Sequence, residues 1–132
     1  MLYIQSKQFQ KFERLSAKRS VAFLFEQGKP FTLPALKIVW RISDEPQFPV
    51  VVLFSVPKKN FPLSPHRNRV KRVMREAYRL NKSSLILTAL AKEKNLQIGF
   101  VYLGKTLPQH AYLEQKIISA LKKIQDELET SA

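Results

Sequence analysis

The sequence predicts one α/β (α+β) domain built as a two-layer sandwich, and three observations lead to this fold class. The chain has 132 residues, of which 45% are apolar and 11% aromatic, which suits one domain with a modest core and argues against global disorder. Short β-rich apolar runs alternate with longer segments whose apolar residues keep helical spacing. No internal repeat or interdomain linker is visible. We therefore predict a single domain over 1–132, with 1–15 as a candidate N-terminal arm.

The first half of the chain predicts one helix followed by two strands. A helix is expected over about 17–27, because Ser16 can cap its start and Gly28 can end it. The segment 36–42 alternates in part and is rich in β-formers, which is typical of a strand. The segment 50–56 is an almost continuous apolar run, as expected of a central strand.

The segment 64–82 predicts a helix with one side for packing and one side for charge. Ser64 can cap this helix, and Pro65 suits its first position. At about 100° per residue, five apolar residues fall on one side: Val70, Val73, Met74, Ala77 and Leu80. An i, i+4 ladder of basic residues, with Arg72 beside it, falls on the other: Arg67, Lys71, Arg75 and Arg79. Like charges at this spacing cost a few tenths of a kcal/mol per pair, so a polyanionic partner is the simplest reason for the ladder.

The last third of the chain predicts a helical or irregular stretch, a strand and a long helix. The stretch 82–94 is arranged around three leucines, and 96–103 is expected to be a strand. A helix is predicted over about 110–128 from apolar residues at helical intervals: Leu113, Ile117, Leu121, Ile124 and Leu128. With the preceding elements, this order predicts the sandwich.

The charge balance points to a polyanionic partner. The chain has 23 Lys and Arg against 10 Asp and Glu, a net charge of +13, and nine of the basic residues lie in 58–82. This balance favours nucleic acid first and an anionic membrane surface second. The absence of cysteine excludes disulfides, thiolate metal sites and cysteine nucleophiles. No apolar run has the length of a spanning helix and no secretory signal is visible, so the expected location is cytoplasmic.

Residues suited to catalysis are sparse and scattered, so we expect no catalytic residue and no metal site in the protein. A protein nuclease gathers several carboxylates around one or two metal ions. The only acidic pair in a predicted loop, Asp44 and Glu45, is typical of a solvated turn. His66 and His110 lie far apart in the sequence, and three glycines cannot form a phosphate loop.

The aromatic residues have two interpretations, core packing and base stacking. Trp40, Phe54 and Phe100 occupy positions that favour the core. Phe25 lies near the end of the first helix, and its position leaves open whether it packs inside or lines a surface that stacks bases. Tyr78 falls near the edge of the basic side, where contact with a sugar or base is expected.

A specific motif follows the second predicted strand. Val56-Pro57-Lys58-Lys59, a short loop and then Arg67-Asn68-Arg69-Val70-Lys71-Arg72-Val73-Met74-Arg75-Glu76 resemble the bacterial ribonuclease P protein component, whose Arg-Asn-Arg signature is matched completely. Leu24-Phe25-Glu26-Gln27-Gly28 is similar to the family's close of the first helix. The resemblance covers roughly 14–125. It departs at Asn60-Phe61 and Leu63–His66, at Pro57 and at Val21, which affects the loop and part of the cleft surface.

The resemblance implies a fold, a function and a set of contacts. The fold is a small mixed sheet with helices packed on it and a left-handed βαβ crossover, whereas general rules favour the right-handed form. The function is that of the RNA-binding protein subunit of a ribonucleoprotein endonuclease, in which a catalytic RNA using Mg²⁺ removes the 5′ leader from precursor tRNA. The protein itself needs no cofactor. The expected partners are the catalytic RNA and precursor tRNA, with no membrane and no DNA.

The resemblance also assigns residues to two contact regions. Phe25 and Lys58 belong to a cleft between the first helix and the sheet that holds the single-stranded leader. The residues expected to bind RNA, through phosphate and polar contacts, are Lys58, Lys59, Arg67, Asn68, Arg69, Lys71, Arg72, Arg75 and Arg79.

Three alternative functions follow from the residues alone. A ribosomal or general RNA-binding protein without processing activity would share the basic helix and the small α/β domain. A DNA-binding regulator of the helix-turn-helix type needs a packed helix just before its reading helix, and here a strand and a Pro-rich loop precede it. A membrane-surface helix is disfavoured because the apolar side of 65–81 has few bulky residues and is needed for the core.

Overall fold

The computed structural model describes residues 8–130, which form a four-stranded sheet, four α-helices and a short 3-10 helix at Lys11–Glu13. The α-helices are α1 (Lys18–Gln27), α2 (Ser64–Asn81), α3 (Ser83–Ala91) and α4 (His110–Thr130). The strands are β1 (Lys29–Leu33), β2 (Leu36–Ser43), β3 (Val50–Ser55) and β4 (Asn95–Tyr102).

The sheet is mixed, which confirms the predicted α+β fold class. Its strand order is β1-β2-β4-β3. The pairs β1–β2 and β2–β4 are antiparallel, whereas β3 and β4 are parallel neighbours. The chain therefore leaves β3, forms α2 and α3, and returns beside β3 as β4, which is a βαβ crossover. Its left-handedness stays a prediction.

The two faces of the sheet differ in how they are covered. Helices α2, α3 and α4 bury the face that carries Trp40, Phe54 and Phe100, so the prediction that these aromatics belong to the core is confirmed. All five inward residues predicted for α4 are buried in the same core. On the other face, α1 packs a small cluster of Leu24 with Val39 and its neighbours. We call this partly covered side the open face.

The ends of α1 differ in detail from the prediction. The helix begins at Lys18 with Ala17 at the N-cap position and no capping side chain, so the expected Ser16 cap is wrong. Gly28 ends the helix as predicted, and its N–H donates to the Leu24 carbonyl at 2.7 Å, but its φ of −73° is not left-handed. A Cβ on Gly28 would lie 2.5 Å from both the Leu24 oxygen and Val39 Cγ1. Glycine is therefore needed for close approach rather than for an unusual backbone.

Strand β1 is absent from the sequence prediction. The strand is five residues long and contains Pro30, a residue that disfavours a central strand. Because β1 lies at the sheet edge and pairs only with β2, the missing N–H of Pro30 is tolerated. The proline and the short length explain why the sequence does not predict this strand.

The buried side of α2 is rotated relative to the prediction. Tyr78, expected at the edge of the basic side, is completely buried, whereas Leu80, expected inside, is 38% exposed. The Tyr78 ring packs on the sheet rings of Phe54 and Phe100 at 6.0 and 6.3 Å, and the Phe9 ring of the N-terminal segment covers it at 5.8 Å. The helix also begins at Ser64 itself, with Leu63 at the N-cap and no side-chain cap, so the expected Ser64 cap is wrong.

Residues 8–15 of the predicted arm are docked on the domain. The Leu15 N–H donates to the Val52 carbonyl at 2.8 Å, which attaches the segment to the free edge of β3. Lys82 Nζ donates to the two carboxylate oxygens of Glu13 at 2.7 and 2.9 Å, and both side chains are buried. Lys82 also donates to the Gln8 carbonyl. Residues 1–7 of the arm lie outside the described residues, and the extent of the domain over 1–132 stays a prediction.

Candidate RNA interface

The most exposed part of α2 carries the first group of predicted RNA contacts. Asn68, Arg69 and Arg72 are exposed on the side away from the core. Arg67 is turned back instead, and its Nη1 donates to the carbonyls of Phe61 and Pro62 at 2.9 Å each. Arg67 therefore holds the loop that precedes the helix, in addition to any contact with RNA.

Arg79, the last residue of the predicted ladder, forms an ion pair within the protein. Its Nη2 donates to Glu76 Oε1 at 2.5 Å and its Nε donates to Oε2 at 3.2 Å. This hydrogen bond from Arg79 holds the pKa of the Glu76 carboxyl below its ordinary value. The pair partly cancels the charge of Arg79, and its assignment as an RNA contact stays a prediction.

Lys71 and Arg75 line a basic hollow at the free edge of β3. The hollow has a volume of about 180 Å³ and is also bordered by Arg14 and Ser16. Arg75 Nε is buried and has no hydrogen-bond partner among residues 8–130. Burial lowers the pKa of the Arg75 guanidinium, and the charges of Arg14 and then Arg72 lower it further. An unpartnered donor among like charges is an arrangement that an anion stabilises.

Arg14 is the basic residue that the sequence prediction missed. Its guanidinium carbon lies 5.4 Å from the Phe9 ring centroid, and its backbone bridges to Val52 of β3. Nothing in the local spacing marks Arg14, because its place beside Arg75 results from pairing across the sheet edge.

Lys58 and Lys59 are exposed in a turn just after β3. The N–H groups of Asn60 and Phe61 both donate to the Pro57 carbonyl at 3.2 Å, which closes the turn. The Phe61 ring is buried, with its centroid 6.1 Å from that of Tyr102. The departure from the family pattern at Asn60-Phe61 therefore anchors the loop in the core while both lysines stay in solvent.

Phe25 is a partly exposed aromatic on the open face, as a surface position requires, and its role in stacking bases stays a prediction. Its side chain is 39% exposed and lies over Gly99 of β4, where an added Cβ would come within 3.3 Å of Phe25 Cζ. Gly99 pairs with Leu53 of β3, and this strand then leads to the lysine turn. The surface beside Phe25 is thus continued by the strand that ends next to Lys58.

The described part of the chain offers no metal-binding cluster. Within residues 8–130, no three His, Cys, Asp or Glu side chains are grouped so that they could hold an ion. None of the helices in this same range combines the length and apolar character needed to span a bilayer.

Comparisons with known proteins agree with the motif and the fold. The family model described as Ribonuclease P matches residues 9–125. A ribonuclease P protein component of Porphyromonas gingivalis is 34% identical over 123 residues, which are 92% of this chain and 90% of that protein. The same-named protein of Chlorobium phaeobacteroides is 38% identical over 127 residues, 86% of each chain.

Solved structures support the same fold. The Staphylococcus aureus RNase P protein, solved at 2.0 Å, superposes with a TM-score of 0.61 at 17% identity, covering 88% of this chain and 94% of its own. A second structure from that organism gives a TM-score of 0.57, with 92% of both chains covered. The family match over most of the chain, the sequence relatives and the complete signature on α2 show that this chain belongs to the ribonuclease P protein component family.

Proposed function

We propose that this chain assists a catalytic RNA in the endonucleolytic removal of the 5′ leader from precursor tRNA. The observation that carries the proposal is that a basic helix side and an exposed aromatic ring lie on different sides of one sheet. The basic side of α2 lies with the core-facing helices, and the exposed Phe25 ring lies on the open face over Gly99. One protein can therefore contact a folded RNA and a single strand at the same time.

The basic side of α2 is assigned to the catalytic RNA. Arg69, Arg72 and Asn68 are exposed and free of the core, which suits contacts with phosphates and sugars. Lys71 and Arg75 extend this surface to the hollow that Arg14 completes. A cluster of this kind binds through counterion release, so affinity should fall steeply with salt.

The surface around Phe25 is assigned to the single-stranded leader. An exposed aromatic ring on a sheet is a stacking platform for unpaired bases. Lys58 and Lys59, at the end of the adjoining strand, supply the phosphate contacts. No paired helix is required for such recognition, which suits a short flexible leader.

The chemistry is assigned to the RNA partner, which uses Mg²⁺. Of the protein's acidic residues, Glu13 is buried against Lys82, and the exposed Glu76 is paired with Arg79. The protein contributes positive charge, which offsets phosphate repulsion between the two RNAs and lowers the concentration of Mg²⁺ that they require.

Replacing Phe25 with alanine is expected to weaken leader binding by about tenfold or more, because one stacked base contributes roughly 1–3 kcal/mol. The loss should appear for precursor tRNA with a leader of several nucleotides and nearly vanish for mature tRNA. Melting temperature should change little, since the ring is partly exposed. Tyr112→Ala, which removes a similarly exposed ring on α4, is the matched control and should bind both tRNAs normally. Equal losses for both tRNAs, together with a fall in melting temperature, would assign Phe25 to the core.

Reconstitution tests the proposed function as a whole. Precursor tRNA is incubated at low Mg²⁺ with a bacterial catalytic RNA, with this protein, or with both. Only the combination should cleave rapidly, at the mature 5′ end. A protein that binds RNA but gives no stimulation would be a general or ribosomal RNA-binding protein instead. Cleavage by the isolated protein, free of contaminating nuclease, would show that the chemistry has been assigned to the wrong component.

A further inference from the structure

Helix α1 separates the exposed rings of Phe23 and Phe25 on the open face, and a hollow lies on the Phe23 side. Successive residues of a helix are about 100° apart, so Phe23 and Phe25 project on opposite sides of the buried Leu24. Phe25 lies over Gly99, on the side assigned to the leader. Phe23 is 44% exposed on the other side, where the guanidinium carbon of Arg41 lies 4.5 Å from its ring centroid. The Phe23 side has no role in the function proposed above.

The hollow on the Phe23 side has a rigid floor and the size of a small ligand. Its volume is about 290 Å³, near the lower end of the range for small-molecule sites. Arg41 Nη1 donates to Gln97 Oε1 at 3.0 Å, and Gln97 Nε2 donates to Gln47 Oε1 at 3.3 Å. Because Gln97 is buried, with 5% of its surface exposed, its hydrogen bond holds the Arg41 guanidinium in place against the Phe23 ring.

Two carboxylates border this hollow without a partner in the protein. Asp44 and Glu45 line it together with Arg19 and Arg41. Within residues 8–130, neither carboxylate forms an ion pair or accepts a hydrogen bond. The main chain beside them is nevertheless fixed, since the Glu45 N–H donates to Ser43 Oγ at 3.2 Å and its carbonyl accepts from Asn95 at 3.0 Å.

The charges select the kind of ligand that fits. The two carboxylates repel a phosphate, and the two arginines repel a bare metal cation. A ligand that is flat and neutral, with donors on one edge and acceptors on another, satisfies both groups. An unpaired nucleobase has this chemistry, and it can stack on the aromatic ring or on the guanidinium plane.

We propose that the hollow between Phe23, Arg41 and the Asp44-Glu45 turn binds one unpaired guanine base, a site that rests on the RNA-binding function proposed above. Guanine presents two adjacent donors, N1–H and the N2 amino group, to one carboxylate, and O6 and N7 accept from an arginine. Adenine and cytosine place an acceptor beside their amino group, and uracil places acceptors on both sides of its single N–H. Guanine therefore makes the largest number of matched hydrogen bonds here.

The test measures base preference directly. Fluorescein-labelled pentaribonucleotides UUGUU, UUAUU and UUIUU, where I is inosine, are titrated with the protein at low salt and followed by anisotropy. We expect guanine to bind about tenfold tighter than adenine. Inosine should lose much of that advantage, because it lacks the N2 amino group. Equal affinity of the unchanged protein for all three oligonucleotides would overturn the proposal without the need for any variant.

Two double variants separate base recognition from an effect of net charge. The double variant Asp44→Asn, Glu45→Gln should bind guanine and adenine probes equally. Asp126→Asn with Glu129→Gln makes the same charge change on the outer side of α4 and should keep the guanine preference. Fluorescence of Trp40, the single tryptophan, reports that each variant is folded. A guanine preference that survives in the first double variant would contradict the assignment.

Two further measurements identify which RNA supplies the guanine. They also separate a failure of this site from a failure of the proposed function. Loss of affinity in the Asp44→Asn, Glu45→Gln variant for precursor tRNA with a leader guanine would assign the base to the leader, and loss for the catalytic RNA alone would assign it to that RNA. Because stimulation is assigned to α2 and the Phe25 surface, the unchanged protein should still stimulate cleavage of a precursor with a guanine-free leader. Absence of stimulation by the unchanged protein would instead reject the proposed function while leaving the oligonucleotide result intact.

Discussion

Replacing Lys82 with methionine is expected to lower the free energy of unfolding by about 3–5 kcal/mol, the range for removing one partner of a buried ion pair. The ammonium group is completely buried and donates to both oxygens of Glu13 and to the Gln8 carbonyl. Methionine fills similar volume but leaves the Glu13 carboxylate buried without its charged partner. Urea denaturation followed by the fluorescence of Trp40 measures the loss.

The substitution should also affect the basic hollow, because the ion pair attaches the N-terminal segment to the end of α2. The segment carries Phe9, which packs on Tyr78, and Arg14, which borders the basic hollow. Lys122→Met, which breaks the exposed pair with Asp126 at 3.6 Å, is the control and should cost far less. The double variant Lys82→Met, Glu13→Gln should recover part of the loss. A cost in Lys82→Met no larger than that of the control would contradict the role given to the pair.

Replacing both Arg69 and Arg72 with alanine is expected to weaken assembly with the catalytic RNA by about 10–100-fold. Each charge-assisted hydrogen bond to a phosphate contributes about 1.5–3 kcal/mol at best, and less where water competes. The slope of log affinity against log salt should fall by about 2, one for each lost phosphate contact. Filter binding over a range of salt concentrations measures both quantities.

Arg67 is left unchanged in this test, because it also donates to the loop carbonyls of Phe61 and Pro62. Arg69 and Arg72 are exposed, so the melting temperature should stay normal. Lys92→Ala with Lys94→Ala removes the same charge from the exposed turn after α3 and should leave the affinity almost unchanged. Equal losses in the two double variants would mean that net charge, rather than the surface of α2, determines binding.

Those features that depend on local spacing were predictable from the sequence. The five inward residues of α4 and the apolar run of β3 appear where periodicity places them. The signature on α2 identified the family, because a motif of that length is specific. Patterns of this kind reflect burial on one side of an element, which is a property of the element itself.

Features that arise from packing between distant segments were not predictable. Tyr78 is buried between Phe9 and the sheet rings of Phe54 and Phe100, and the share that Phe9 supplies cannot be read from periodicity within α2. Arg14 reaches Arg75 through the pairing of residue 14 with the edge of β3. The hollow beside Phe23 likewise joins α1, β2, β4 and a turn that the sequence indicated only as solvated charge.

The most direct test of the two assigned surfaces is the affinity of the catalytic RNA for precursor tRNA, measured with and without this protein as the leader is lengthened. Two surfaces on one protein predict that leaders of several nucleotides bind much more tightly when the protein is present, whereas a one-nucleotide leader gains little. The catalytic RNA alone should show no such dependence on leader length. A gain that is the same for every leader length would contradict the assignment of the open face to the leader.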